Sequence, residues 1–195
     1  MKRAETRQRI LQATIRTLAE QGYARTTARA VATTGGFTPG VIYYHFTDLD
    51  ELFVATARFT SQARLDRYRA ETDGVTSAVE LVRRLRALHV EDGAEGHIAA
   101  VQELIAAANT SPRLADEVRA STAVWQDFAA TAIHRLIDGT PFAALVPVQE
   151  TATAAVAAYL GIEMLSHLDA NRTSPAEMFD AAEQAAALFD ALRPR

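Results

Sequence analysis

At 195 residues, 49% hydrophobic and 23% charged, the chain is long enough to bury a sizeable core and too apolar to be disordered. It has no cysteine, which excludes disulfides, zinc–thiolate sites and cysteine nucleophiles. The net charge of −4 is unevenly spread: residues 1–46 hold seven basic and two acidic side chains, the rest 13 basic and 22 acidic, as in a small basic module joined to a larger acidic one.

Ala, Leu, Glu, Arg and Gln dominate, and no period-two alternation is sustained, so the expected fold is all-α. The opening MKRAETRQRILQ turns amphipathic at once, without the apolar stretch of a secretion signal. No run of about eighteen apolar residues occurs, so no membrane partner is expected and the expected location is cytoplasmic. A first helix is predicted over residues 4–21, with Ile10, Leu11, Ile15 and Leu18 on one stripe and Gly22 as its stop. A short second helix, 27–34, buries Ala28, Val31 and Ala32 and breaks at Gly35-Gly36. Thr38 caps a third helix with Pro39 in its first turn, ending near Phe46. Asp48 and Glu51 form a capping box for a long fourth helix through about residue 70. Five more helices are expected over 77–90, 97–109, 112–138, 148–168 and 175–192. The breaks between them fall at 91–96, 139–141 and 169–173.

The second and third helices, joined by a glycine turn, have the helix-turn-helix layout, in which the second helix enters the major groove of double-stranded DNA. Val31, Phe37 and Ile42 are placed to pack this pair together. That leaves Thr38, Pro39, Gly40, Tyr43, Tyr44 and His45 facing solvent. Exposed tyrosines and a histidine can meet phosphates, sugars and thymine methyls, and Gly40 lets the backbone approach closely. Thr27 and Arg29, at the start of the second helix, stand where that helix crosses the DNA backbone, and Lys2 and Arg3 form a basic arm.

The stretch TRQRILQATIRTLAEQGYARTTARAVATTGGFTPGVIYYHFTDLDELFVA closely resembles the DNA-binding domain of TetR-family transcriptional regulators. The matching marks are Ile10, Leu11, Ala13, Gly22-Tyr23, Thr27, Val31-Ala32, Gly36, Gly40, Tyr43, His45, Phe46 and Leu52. The resemblance implies an N-terminal three-helix DNA-binding domain, 1–47, and a long helix leading into a larger ligand-binding and dimerisation domain, 48–195. It further implies a homodimeric regulator, usually a repressor, released from its operator by a small-molecule effector. The family's base- and phosphate-contacting positions fall on Arg29, Thr38, Pro39, Gly40, Tyr43 and His45. Two positions depart from the family pattern. Leu49, flanked by Asp48 and Asp50, stands where a phosphate-gripping Lys is common, and Gly35 stands where alanine is common.

In the acidic part, the last two helices carry stripes that suit a four-helix dimer interface: Ala152, Ala155, Val156, Tyr159, Leu160, Met164 and Leu168, then Met178, Ala182, Ala185, Ala186, Phe189 and Leu192. Leu85, His89, Val101, Leu104, Ile105, Trp125 and Phe128 offer a mostly apolar lining for an effector. His89, Glu91, Asp92, Glu95 and His97 have metal-ligand chemistry, but the glycines among them mark a solvated loop, so no metal is expected. No nucleophile elbow, phosphate-cradling loop or HExxH is present, and neither cofactor nor catalysis is expected. Leu49 and the acidic overall charge support an alternative, a helical ligand carrier or enzyme with a vestigial helix-turn-helix. A protein-interaction module using the tyrosines is a third.

Overall fold

The computed structural model describes residues 2–168 and 174–192, with only the backbone for Lys2. Among them are nine α-helices and no strand. They are α1 (Lys2–Gln21), α2 (Ala28–Gly35), α3 (Pro39–His45), α4 (Leu49–Thr72) and α5 (Ala78–Ala94), then α6 (His97–Ala107), α7 (Pro112–Ile137), α8 (Val148–Leu168) and α9 (Pro175–Leu192). No helix among the described residues is long and apolar enough to cross a membrane.

Local chemistry explains most of the boundaries. Thr27 caps α2, its hydroxyl oxygen accepting the Ala30 N–H at 3.1 Å. Gly36 ends α2 in the left-handed region, φ 69°, which a residue with a Cβ rarely adopts. The predicted capping box at α4 is present. Asp48 Oδ1 accepts the Glu51 N–H at 2.6 Å, and Glu51 Oε2 accepts the Thr47 N–H at 2.7 Å. The latter bond is the main reason the Glu51 carboxyl is held below its ordinary value. Ser111 starts α7 in the same manner, accepting the Leu114 N–H at 3.1 Å.

Three expectations need correction. α1 starts at Lys2, so Arg3 belongs to its first turn and not to a flexible arm; the Lys2 side chain lies outside the described residues. α5 does not stop at residue 90 but runs through Asp92 and Gly93 to Ala94, and the break waits for Gly96 at φ 79°. The reason is an ion pair: Asp92, fully buried, meets Arg64 of α4 at 2.5 Å, which anchors a turn that in sequence looks solvated. Third, Thr38 precedes α3 but makes no side-chain cap, so its exposed hydroxyl is not spent on the helix.

Packing groups the chain differently from a cut at 47/48. One unit comprises residues up to Arg64 together with Glu91–Ser121; the other comprises Leu65–Val90 and Thr122 onward. The first unit has two apolar clusters. One gathers Ile10, Leu11, Val31, Ile42, Phe46 and Leu52, locking α1, α2, α3 and the start of α4 together. The other sets Ile15 and Leu18 of α1 against Phe53 of α4, Leu104 of α6 and Leu114 of α7. Helix α1 is thus buried on two sides, against the helix-turn-helix on one and against α6 on the other. A polar contact reinforces this: Glu103 of α6 accepts the Tyr23 backbone N–H at 2.6 Å, satisfying a donor just past the end of α1.

In the second unit, α9 is pinned to α5 by its polar face. Asp190 accepts the Ser77 hydroxyl at 2.8 Å and the Ala78 N–H at 3.0 Å, capping α5. Arg83 meets Glu183 at 2.6 Å and Arg86 meets Asp180 at 2.5 Å. Tyr68, Trp125 and Phe128 form an edge-on aromatic cluster with centroids 5.0–6.3 Å apart.

Candidate nucleic-acid interface

Helix α3 is only seven residues long, and an isolated helix of that length is unstable in water. Tertiary anchors hold it. Ile42 and Phe46 are buried in the first cluster, and the Phe46 N–H closes the last turn on the Ile42 carbonyl at 2.9 Å. The opposite side of α3 and its entry are bare. Thr38, Pro39 and Gly40 are exposed, Tyr43 is 54% and Tyr44 69% exposed, and His45 is half-buried. Two large aromatic rings left in water on a short, firmly anchored helix are not explained by the fold itself.

The glycines separate two kinds of requirement. A Cβ at Gly35 would sit 2.0 Å from the Phe37 ring, so this glycine makes room for the aromatic that closes the turn. The sequence departure at position 35 is therefore a packing accommodation and not a loosened helix end. A Cβ at Gly40 would meet nothing within 4 Å, and its φ is not in the positive region. Nothing inside the protein requires a glycine at this helical position.

Cations border the tyrosines. The Arg3 guanidinium lies 5.6 Å from the Tyr44 ring, and Tyr44 meets His45 edge-on at 5.2 Å. Arg29 is exposed in the first turn of α2, and its guanidinium makes no hydrogen bond or ion pair with a described residue. Thr27, also exposed, uses its oxygen lone pair for the cap and keeps its O–H as a donor. The start of α4 is different. Leu49 turns inward and packs on both apolar clusters, leaving Asp48, Asp50 and Glu51 as the charged groups of that turn.

Residues 10–56 match the family of bacterial regulatory proteins of the tetR type. A TetR-family transcriptional regulator from Rhodococcus sp. has the same fold, with a TM-score of 0.75 and 26% identity over 95% of this chain and 98% of that one. Residues 10–56 belong to the TetR family, and the whole chain has the fold of a TetR-family regulator. Among curated relatives, the HTH-type transcriptional repressor AcnR of Corynebacterium efficiens is 38% identical over 82 residues, 42% of this chain and 41% of that one. An uncharacterised HTH-type transcriptional regulator of Mycobacterium tuberculosis is 28% identical over 125 residues, 60% of each chain. The matched part thus spans about 60% or less of these relatives' length.

Elsewhere in the chain, the residues expected to line an effector site are divided. Val101, Leu104 and Ile105 belong to the first unit, where Leu104 is buried against α1. Leu85, His89, Trp125 and Phe128 belong to the second. There His89 joins Tyr159, Phe179 and the buried Glu163. Its Nδ1 is 3.3 Å from the Tyr159 hydroxyl and 3.4 Å from Glu163 Oε1, and its ring is 5.2 Å from that of Phe179. Among the described residues no three groups with metal-ligand chemistry come together: Asp92 meets Arg64, and His97 lies 3.4 Å from Glu95 and 2.5 Å from the Thr60 hydroxyl.

The expected dimer stripes are turned partly inward. Tyr159 faces His89, Phe189 packs on Phe142 at 5.2 Å, and Ala186 is buried. Val156, Leu160, Met178 and Ala182 are half-buried, whereas Ala155, Met164, Leu168, Ala185 and Leu192 are exposed. Further apolar residues face water beside them. They include Ala154, Ala158 and Leu165 on α8, and Ala181 and Leu188 on α9. On α9 the phase follows from charge. Asp180, Glu183 and Asp190 point to α5, which turns the 181–185–188–192 row away from it.

Proposed function

We propose that this TetR-family chain is a ligand-responsive transcriptional repressor. As a homodimer it binds a palindromic double-stranded DNA operator, and a small, mostly apolar effector releases it. The observation that carries the DNA reading is the exposed row Thr38, Pro39, Gly40, Tyr43 and Tyr44 on a helix pinned from behind by Ile42 and Phe46. A recognition helix needs that combination of rigidity and bare polar-aromatic surface. The name of the AcnR relative supports repression over activation.

Gly40 gives the sharpest test. Because its Cβ position is open, Gly40→Ala removes a helix-destabilising residue and is expected to leave stability unchanged or raise it by up to about 1 kcal/mol. On DNA the added methyl blocks close approach of the backbone, and affinity falls. Tyr43→Ala is expected to cost about 1–3 kcal/mol of binding with Tm unchanged. Melting curves and anisotropy titrations on the same samples check both. If the two variants bind DNA as wild type does, the α3 face is not the reading surface.

For the dimer, we infer a seam on the outward rows of α8 and α9, which keep Leu168, Ala185 and Leu192 of the stripes expected from sequence and add Ala154, Ala158, Leu165, Ala181 and Leu188. Small and large apolar residues alternate there, which permits close helix crossing, and a contiguous exposed apolar row marks an interaction surface. Two recognition helices roughly 34–36 Å apart then read successive major grooves. The effector reading rests on the second unit, whose aromatic cluster and His89–Tyr159–Glu163 group supply apolar walls and a few polar contacts. An effector releases DNA only by favouring the conformation that does not bind it.

A further inference from the structure

We propose that Arg113, at the start of α7, belongs to the nucleic-acid interface and grips a DNA backbone phosphate beside α3. It thereby supplies from 64 residues away the cation that position 49 lacks. The proposal rests on the DNA-binding reading above. With Leu49 packed inward, the first turn of α4 carries three carboxylates next to a face that must approach a polyanion. The fold brings Arg113 to that turn. Its Nη1 is 3.2 Å from Asp50 Oδ2 and 3.4 Å from Asp48 Oδ2.

Both aspartates are themselves fixed. Asp48 accepts the Glu51 N–H at 2.6 Å, and Asp50 accepts the Ser111 hydroxyl at 2.5 Å, from the residue that caps α7. The guanidinium is therefore oriented from both sides through a single nitrogen. Its Nε and Nη2 make no bond to a described residue, and the side chain is 55% exposed. Those two groups form the fork that matches two phosphate oxygens. Asp48 follows Phe46, the C-terminal cap of α3, by two positions, so the fork stands at the edge of the recognition face. Such a contact fixes register without reading sequence.

The test compares four full-length proteins: wild type, Arg113→Gln, Asp48→Asn with Asp50→Asn, and the triple variant. The probes are a duplex that the wild type selects from random-sequence DNA and a scrambled control. Arg113→Gln is expected to weaken both duplexes by a similar factor, roughly five- to ten-fold near 0.1 M salt. It should also flatten the dependence of log affinity on log salt by about 0.9 for each protomer, about 1.8 for the dimer, one phosphate's worth per subunit. The asparagine pair keeps an N-cap for α4 and removes both carboxylates that the Arg113 guanidinium touches. In that background the phosphate contact still predicts the same loss of slope when Arg113 is changed. If the slope there does not move, Arg113 only neutralises the two aspartates and the proposal fails while the DNA-binding reading stands. If the wild type selects and binds no duplex at low salt, both fall.

Discussion

Replacing Phe46 by alanine is expected to destabilise the first unit by about 3–5 kcal/mol and to lower the melting temperature by roughly 10 °C. Phe46 is 2% exposed and fills the centre of the cluster formed by Ile10, Leu11, Val31, Ile42 and Leu52. The same residue ends α3, with its backbone in the extended region and its N–H on the Ile42 carbonyl. The Arg7 guanidinium covers its ring at 5.1 Å. Alanine leaves a cavity where α1, α3 and α4 converge, and a seven-residue helix has no means of its own to stay folded. DNA affinity should fall with stability and recover on cooling, unlike that of Tyr43→Ala, which loses affinity at constant Tm. A loss below about 1 kcal/mol would mean that α3 is held by something other than this cluster.

The second large effect is expected at Arg64. Arg64→Met removes the partner of a fully buried carboxylate, Asp92, and should cost about 3–5 kcal/mol. The double change Arg64→Met with Asp92→Leu should recover most of that loss, because an apolar pair of similar volume avoids the desolvation of both charges. Chemical denaturation of the three proteins measures this. Equal destabilisation in the single and double variants would show that the ion pair is not what holds the last turn of α5 against α4.

Where the determinants are local, the sequence was sufficient. Thr27, Gly36 and the Asp48–Glu51 box each act within four residues, and the helices they bound lie where expected. The α3 face was legible for the same reason: Ile42 and Phe46 fix the buried side of a short helix, and Tyr43 and Tyr44 follow on the other. What escaped comes from distant chain segments. Asp92 looks solvated beside Gly93 until Arg64 is brought to it. Neither Glu103 on the Tyr23 N–H nor Arg113 on Asp48 and Asp50 has any local mark, their partners being more than 60 positions away. Alanine spreads apolar character around α8 and α9, so sequence alone does not separate their inward from their outward stripes. Only the polar contacts of Asp180, Glu183 and Asp190 reveal which side of α9 faces in.

The most direct test of the DNA-binding claim is fluorescence anisotropy of the wild-type protein on a duplex from upstream of its own gene. A scrambled duplex of the same composition serves as control, and both are titrated at several salt concentrations. Tight binding to the upstream duplex, weaker binding to the control and a steep loss of affinity for both as salt rises are the expected results. Equal and negligible binding to both duplexes, even at low salt, would contradict the DNA-binding claim and leave the tyrosines of α3 without a nucleic-acid role.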